Sequence, residues 1–277
     1  MGFTRSPLAL LPGAGQLCLA DCIETAQGNP AVKATDALVK GVFSYGNRLY
    51  CHWSDDDSQA RFSWGSSDAY SRYYADYQQF VARPRDVAAA LEDELDSENA
   101  RVFLVKLDVS AYYDRIKIPL LVEKLRNEYA LYWAQDIDRS VDENAFWQAA
   151  EIALTFQWSD ADEESKGLLK GGELPRGLPQ GLMASGFFAN AYLLEFDRAV
   201  GLACTRQDTI RVGDRKSKVR LHDYCRYVDD LRLVVSTDDP ELDLTKLQTD
   251  VTDWIQKRLD KSLSDARGAS TLTGAPP

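Results

Sequence analysis

The distribution of apolar residues predicts three strands near the middle of the chain. Arg101 to Asp108 is almost continuously apolar or β-prone, which predicts a buried strand that ends at Asp108. Val219 to Tyr227 and Leu231 to Val235 predict two further strands, joined tightly at Val228-Asp229-Asp230 as a β-hairpin. The predicted strand ends therefore carry aspartates.

Helical spacing of apolar residues recurs in the segments between and after these strands. It predicts helices at Asp86–Leu95, Leu120–Tyr132, about Phe146–Phe156, about Met183–Val200 and Leu244–Leu259. Pro84 would stand just before the first of these helices, with Asp86 as its N-cap. A loop dense in glycine and proline precedes the Met183 helix, because such residues interrupt regular structure.

The two ends of the chain carry weaker patterns. Glycine and proline punctuate the first sixty residues, which predicts an irregular start with one or two short helices or strands. The chain ends in a Ser/Gly/Ala/Thr/Pro segment that we expect to be poorly ordered. No run approaches the ~18 to 20 apolar residues of a membrane span, and no convincing signal peptide is present. We therefore expect a cytoplasmic protein with no membrane partner.

Composition narrows the chemistry. A hydrophobic content of 45% indicates a folded protein, and two histidines argue against a mechanism centred on histidine. Five cysteines form no tight framework, so we expect reduced thiols. A zinc site from Cys18, Cys22, Cys51 and His52 is the less favoured alternative, since this spacing matches no common zinc pattern.

The charge distribution is uneven. A net charge of −11 disfavours nucleic-acid binding, because phosphate contacts supply most of that affinity. Residues 134–164 hold nine acidic residues against one arginine. Residues 201–226 hold three acidic residues against seven basic ones: Arg206, Arg211, Arg215, Lys216, Lys218, Arg220 and Arg226. This basic strip could follow a phosphate backbone, or it could be a solvated loop.

The aspartates at the strand ends form the strongest candidate site. Asp229 and Asp230 stand at a hairpin tip between largely apolar strands, and Asp108 ends another strand. Three carboxylates at two strand ends suit a pair of Mg²⁺ ions ~3.5 to 4 Å apart, as used in nucleotidyl transfer. The alternative is that Asp-Asp is only a turn dipeptide, since aspartate favours turns.

Three sequence strings favour the metal site over the turn. They are Leu107-Asp108-Val109-Ser110-Ala111-Tyr112-Tyr113, then Leu178-Pro179-Gln180-Gly181 with Ser185 and Ala189-Asn190 after it, then Tyr227-Val228-Asp229-Asp230. In this order they closely resemble three blocks of reverse transcriptases: a palm strand, an LPQG turn and helix, and a Tyr-x-Asp-Asp hairpin. The resemblance covers roughly Tyr70 to Ser236.

The resemblance implies roles for residues around the metals. Asp108 and Asp229 would be the principal ligands of two Mg²⁺ ions, which Mn²⁺ could replace, and Asp230 a supporting neighbour. Tyr113 would be the steric gate that rejects a 2′-OH. Beside it, Tyr112 fits a core aromatic better.

The resemblance also implies substrate contacts. Gln180 and Gly181 would lie against the nascent base pair and the incoming nucleotide, while Asn190 is better read as structural. The segment before the palm resembles a fingers block with three candidate triphosphate ligands, Arg72, Arg83 and Arg85, because guanidinium groups bind phosphate in a fork. The alternative for each arginine is a surface side chain.

The implied fold is α+β, a right-hand polymerase fingers and palm with a small antiparallel sheet packed on helices. We divide the chain into an N-terminal extension (1–67), a fingers region (68–100) and a palm (101–240) with an acidic insertion at about 134–166. The remainder (241–277) would be the start of a thumb or a disordered tail. The thumb is thus expected to be short or missing, and Lys257 and Lys261 near the end align with no family position.

The implied function is metal-dependent synthesis of DNA from dNTPs, copied from an RNA template. The string from Arg226 to Arg232 looks most like bacterial unknown-group and abortive-infection reverse transcriptases, which implies antiphage defence. A partner protein or non-coding RNA would supply the missing grip. Two alternatives stay open: untemplated or protein-primed DNA synthesis, and a polymerase-shaped nucleic-acid-binding scaffold without activity.

Overall fold

The structure is a computed structural model of the 277-residue chain. It describes residues 19–63, 68–95, 99–133, 143–155, 158–168, 174, 177–213 and 217–264. Predictions that concern Cys18, the acidic stretch 134–142, Arg215, Lys216 and the tail 265–277 lie outside these ranges. Within the ranges, no helix combines the length and the apolar character needed to cross a membrane.

The helices of the described residues account for every predicted helix and add others. They are α1 Leu19–Gln27, α2 Ala34–Ala37, α3 Tyr73–Glu94, α4 Ile118–Trp133, α5 Glu143–Leu154, α6 Asp160–Ser165, α7 Met183–Tyr192, α8 Leu194–Thr205 and α9 Leu244–Ser262. The helices predicted at 120–132, about 146–156 and 244–259 are confirmed as α4, α5 and α9. The single helix predicted over 183–200 is two helices, because the chain leaves helical geometry at the buried Leu193.

The strands form two antiparallel sheets. They are β1 Cys51–Trp53, β2 Ala60–Phe62, β3 Arg101–Asp108, β4 Thr209–Val212, β5 Ser217–Tyr227 and β6 Asp230–Thr237. The first two pair with each other, and the rest form a four-stranded sheet in the order β3-β6-β5-β4. The predicted hairpin is confirmed as β5 and β6. Small antiparallel sheets with helices confirm the α+β class.

Helices cover both faces of the four-stranded sheet. On one face Leu231 and Leu233 join a core cluster that also contains Phe196 of α8 and Val251 of α9. On the other face Cys225 packs in a second cluster with Phe80 of α3. Because side chains alternate along a strand, each face of the sheet packs against a different set of helices.

The strand β3 lies at the edge of the sheet, paired only with β6 among the described strands. Val105 is buried, whereas Leu104 is 41% exposed and Asp108 is exposed. The prediction of a strand at 101–108 is confirmed, but the prediction that it is buried is wrong. An apolar run indicates a strand without showing how many neighbours the strand has.

The helix α3 begins thirteen residues before the predicted N-cap Asp86, at Tyr73, and Pro84 lies inside it. Proline lacks an N–H, so the carbonyl of Phe80 loses its helical donor. The thiol of Cys225 on β5 donates to that carbonyl instead, at 4.0 Å. The prediction of Asp86 as N-cap is therefore wrong, because contacts with the sheet stabilise a helix that continues through the proline.

A buried ion pair attaches α3 to the sheet. The Arg83 guanidinium donates from Nε to Asp223 Oδ2 at 2.8 Å and from Nη2 to Asp223 Oδ1 at 2.6 Å. Burial lowers the pKa of Arg83, and the Asp223 carboxylate more than offsets this, so the pKa lies above its usual value. Arg83 is fully buried, so it is not a triphosphate ligand in this structure and that prediction is wrong for Arg83.

Substituting Arg83 tests this attachment. We expect Arg83→Ala to lower the free energy of unfolding by about 3–5 kcal/mol, because the Asp223 carboxylate would stay buried without its partner. Urea denaturation measures the change. The double variant Arg83→Met/Asp223→Leu should recover most of the loss, since it removes both charges.

The exposed Arg85 on the same helix is the matched control. Arg85→Ala should change the free energy of unfolding by no more than about 0.5 kcal/mol. Equal losses for the Arg83 and Arg85 variants would contradict a role for the ion pair.

Candidate active site

The hairpin turn between β5 and β6 has an unusual backbone. Val228 has φ +59°, in the left-handed region that β-branched residues rarely adopt. Two hydrogen bonds hold the turn. Arg226 Nη1 donates to the Val228 carbonyl at 3.1 Å, and the backbone N–H of Val109 donates to the Asp229 carbonyl at 3.1 Å. The second bond ties the turn to the residue after Asp108.

Arg226 connects the turn to two helices. It is fully buried, and its guanidinium donates to both carboxylate oxygens of Asp197 on α8, at 2.8 Å each. Nη2 also donates to the Asn190 carbonyl on α7 at 2.8 Å. The prediction that Arg226 belongs to a surface basic strip is wrong, because Asp197 provides a buried counter-charge from a helix far away in sequence.

A segment from the N-terminal region supports the turn from its other side. The backbone N–H of Tyr45 donates to the Arg226 carbonyl at 3.0 Å, and that of Arg226 donates to the Phe43 carbonyl at 2.8 Å. Gly46 then lies directly against Val228. A Cβ on Gly46 would come 2.7 Å from the Val228 nitrogen, so only glycine permits this approach.

The three predicted aspartates all lie at this end of the sheet. Asp108 and Asp230 are direct partners in the β3–β6 ladder, and Asp229 is the residue before Asp230, on the turn. Burial raises the pKa of Asp229, and the charges of Asp108 and Asp230 raise it further. The carboxylate of Asp230 is bound by Arg232, at 3.2 Å from Nε and 2.9 Å from Nη2.

The carboxylates fit a divalent cation in part. Among the described residues, no three of the types histidine, cysteine, aspartate and glutamate converge as a metal site. Asp230 has its counter-charge in Arg232, whereas Asp108 and Asp229 repel each other without a cation between them. Carboxylate oxygens suit Mg²⁺ and Mn²⁺. Asp108 and Asp229 are therefore of the right type to hold such an ion, and the binding of one ion or of two stays a prediction.

A cleft of about 390 Å³ opens beside the turn. Four predicted site residues line it: Asp229, Tyr113, Gln180 and Gly181. The chain after β3 and the chain before α7 meet here because the N–H of Leu178 donates to the Tyr113 carbonyl at 2.9 Å. A Cβ on Gly177 would lie 1.8 Å from that carbonyl oxygen, so this approach also requires glycine.

The two adjacent tyrosines differ as the sequence predicts. Tyr112 is buried and donates its hydroxyl to the Ala189 carbonyl, so its assignment to the core is confirmed. Tyr113 is partly exposed at the cleft, and its hydroxyl accepts a hydrogen bond from Asn47 Nδ2 at 3.0 Å. Burial raises the pKa of Tyr113, and the bond from Asn47 acts in the opposite direction.

Sequence reasoning missed Asn47 and Tyr70 as residues of the cleft. Asn47 has φ +51°, and with Gly46 it forms a dipeptide typical of turns. That signal was present in the sequence, but it does not show which part of the chain the turn contacts. The N-terminal region therefore contributes a wall of the cleft, in addition to a part of the core.

The other predicted residues separate by exposure. Arg72 precedes α3 and Arg85 lies on it, both exposed, and their contact with a triphosphate stays a prediction. Ser185 lines the cleft but is buried. Asn190 is buried and receives a hydrogen bond from Ser44 while donating to Gln27, which confirms its structural role.

Comparison with known proteins gives little similarity. No model of a protein family and no curated protein matches the chain. Among solved structures it is similar to apo telomerase from Candida tropicalis truncated from its C-terminal domain, with a TM-score of 0.36, 16% identity, and coverage of 65% of this chain and 32% of that one.

It is also similar to telomerase from Candida albicans in complex with a TWJ fragment of telomeric RNA. The TM-score is 0.36 and the identity 15%, over 66% of this chain and 27% of that one. The chain spans a third or less of the length of these two structures. At this level the similarity adds nothing to the assignment of the site.

The Arg226 contacts predict a specific defect. Arg226→Lys keeps the charge but cannot reach Asp197, Val228 and Asn190 together. We expect the free energy of unfolding to fall by about 1–3 kcal/mol, because buried acceptors lose their donor. Amide hydrogen exchange should also speed up at residues 228–230, and mass spectrometry of that peptide measures it.

Arg198→Lys is the control, because Arg198 pairs with Glu128 at a partly exposed position away from the turn. It should leave exchange at 228–230 unchanged. If Arg226→Lys also leaves this exchange unchanged, Arg226 does not hold the turn.

Proposed function

We propose that this chain is a metal-dependent nucleotidyltransferase of the reverse transcriptase type. One observation carries the proposal: the three separate strings that resemble reverse transcriptases meet around one cleft. Asp229 comes from the hairpin, Tyr113 from the turn after β3, and Gln180 from the turn before α7. A chance resemblance of short strings gives no reason for them to meet in space.

The residues of the cleft have distinct tasks in this proposal. Asp108 and Asp229 hold Mg²⁺ or Mn²⁺, which, when bound, neutralises phosphate charge and favours an ionised attacking hydroxyl. The raised pKa of Asp229 reflects burial and carboxylate repulsion that a cation would relieve. Tyr113 presents its ring to the sugar of the nucleotide, and Gln180 and Gly181 lie against the base pair.

The finer assignment extends the proposal to substrates and partners. A tyrosine at the gate favours dNTPs, so the product is DNA, and the resemblance favours an RNA template. The string from Arg226 to Arg232 supports a place among bacterial antiphage reverse transcriptases. A partner protein or a non-coding RNA would complete the grip on the template and product. Untemplated or protein-primed synthesis uses the same site and differs only in its product sequence.

The ion pair at Asp230 favours a second candidate function. Arg232 neutralises one of the three carboxylates with two hydrogen bonds. A polymerase-shaped scaffold that binds nucleic acid without synthesis has no need of three free carboxylates. The first experiment below separates the two functions.

Removing one metal ligand should abolish synthesis. We expect Asp229→Asn to lower incorporation of labelled dNTPs by at least about 10²-fold in Mg²⁺ or Mn²⁺, because the ion contributes several kcal/mol of charge stabilisation. The exposed Asp253 on α9 provides the control, and Asp253→Asn should retain full incorporation. Sequencing the product with and without added template then distinguishes templated from untemplated synthesis.

Two results would contradict the enzyme assignment. Synthesis that is undiminished in Asp229→Asn would remove the aspartates from the site. Nucleic-acid binding without incorporation in the unsubstituted chain would favour the scaffold.

The gate is tested by removing only its ring. Tyr113→Ala should raise the incorporation of ribonucleotides relative to deoxyribonucleotides, because space opens for the 2′-OH. Competition between the two nucleotides on one template measures this ratio. Tyr113→Phe keeps the ring and loses only the hydrogen bond from Asn47, so its ratio should stay low. Continued rejection of ribonucleotides by Tyr113→Ala would exclude Tyr113 as the gate.

A further inference from the structure

A second concave surface lies between α8 and α9, and we name it the α8–α9 groove. It has a volume of about 600 Å³. Apolar residues of α8 form one wall, including Leu202, which is 48% exposed. Four cationic residues line the groove: Arg206, Lys257, Arg258 and Lys261. The sequence alone placed Arg206 in a basic strip and left the two lysines unassigned.

The groove lies on the α8 side of the sheet and shares no lining residue with the cleft beside Asp229. On β5, Tyr224 points toward α8, where its hydroxyl donates to Asp197 at 2.9 Å. Tyr227 is the ladder partner of Asp230, and its ring contacts Tyr77 of α3 at a centroid distance of 5.3 Å. Since α8 and α3 cover different faces, Asp230 and the α8–α9 groove lie on different sides of the sheet.

The charges of the groove are largely uncompensated. None of the four cations forms an ion pair with another residue that the structure describes. Two carboxylates lie in the groove, and that of Glu195 is already bound to Lys124 of α4. Among the residues that line the groove, Asp208 alone remains to balance four positive charges. On a chain of net charge −11, this concentration of positive charge attracts anions.

The cations of the groove come from two helices, three from α9 and one from the end of α8. Lys257 and Lys261 are one helical turn apart on the same face of α9. Arg258 beside them stacks on the Trp254 ring, with Cζ 3.2 Å from the ring centroid, which limits the orientations of its guanidinium. Arg206 follows the end of α8. A polymer with a phosphate every ~3.4 Å along each strand can contact several cations along one groove, whereas one small anion cannot.

Interaction with helix dipoles explains the positions of only some of these cations. Cations stabilise the last turn of a helix by ~0.3–1 kcal/mol, and the effect decays within that turn. Lys261 lies in the last turn of α9, and Arg206 caps α8. Lys257 and Arg258 lie before the last turn. Their position in the groove therefore needs another explanation.

We propose that the α8–α9 groove binds the phosphodiester backbone of a nucleic acid, at a surface that shares no lining residue with the candidate active site. The bound segment is separate from any strand in the cleft. The proposal rests on the proposed function only for the choice of nucleic acid over another polyanion. It assigns a contact surface to Lys257 and Lys261.

The salt dependence of binding tests this contact. Fluorescence anisotropy of a labelled RNA and of a labelled DNA, without nucleotides, gives the affinity of the full chain between about 50 and 200 mM salt. Lys257→Ala and Lys261→Ala should each reduce the slope of log affinity against log salt by about 0.7 to 0.9, and lower affinity roughly fivefold at 0.1 M salt. Both residues are exposed and alanine favours helix, so the variants should fold.

Lys40→Ala is the matched control, because it removes the same charge from an exposed site. Lys40 follows α2, which packs on α3 and therefore lies on the side of the sheet away from the α8–α9 groove. Its slope should equal that of the unsubstituted chain. Unchanged slopes in both groove variants would overturn the proposal. Displacement of the RNA by polyglutamate at equal charge would overturn the assignment to nucleic acid in favour of an acidic protein segment.

Measuring dNTP incorporation by the unsubstituted chain beside these salt slopes separates this proposal from the proposed function. Slope changes in the groove variants, together with no dNTP incorporation by the unsubstituted chain, would support the groove and contradict the polymerase. Incorporation by a chain whose groove variants keep their slopes would do the reverse.

Discussion

The buried ion pair between Arg226 and Asp197 connects the parts of the structure that form the candidate site. Burying two charges costs several kcal/mol per ion unless geometry and further hydrogen bonds compensate. Here both carboxylate oxygens receive a donor from the arginine, and Tyr224 donates to one of them as well. Two further donors of the guanidinium reach the carbonyls of Val228 and Asn190. One side chain thus connects α8, α7 and the hairpin turn, and the position of Asp229 depends on it.

The sequence predicted those features that depend on local pattern. Periodicity gave the hairpin and three helices close to their observed bounds, since apolar spacing follows from the geometry of each element. It could not distinguish a buried arginine from an exposed one. The sequence alone does not show that Arg83 and Arg226 are buried, because their partners Asp223 and Asp197 lie on other elements of the fold. The sequence places Pro84 at a helix start for the same reason. The donor that replaces its missing N–H, the thiol of Cys225, lies on a distant strand.

The candidate site shows the same division. The aspartates, Tyr113 and Gln180 stand in strings that resemble a known family, and the structure brings these strings together. Asn47 belongs to no such string, and its contact with Tyr113 results from the packing of Gly46 against the turn. Charge is distributed by face in a way that net charge conceals. The ladder partners Asp108 and Asp230 lie on one side of the four-stranded sheet, and the basic α8–α9 groove lies on the other.

The packing of Gly46 against Val228 has a consequence for how the chain acquires its site. These residues are separated by most of the sequence, and contacts between distant segments form late, because closing a long loop costs entropy. During translation the N-terminal segment emerges first, and it can complete its contacts only after the hairpin has been synthesised. The cleft is thus assembled in one of the last folding steps, and a nascent chain that has not yet reached β6 has no site with which to act.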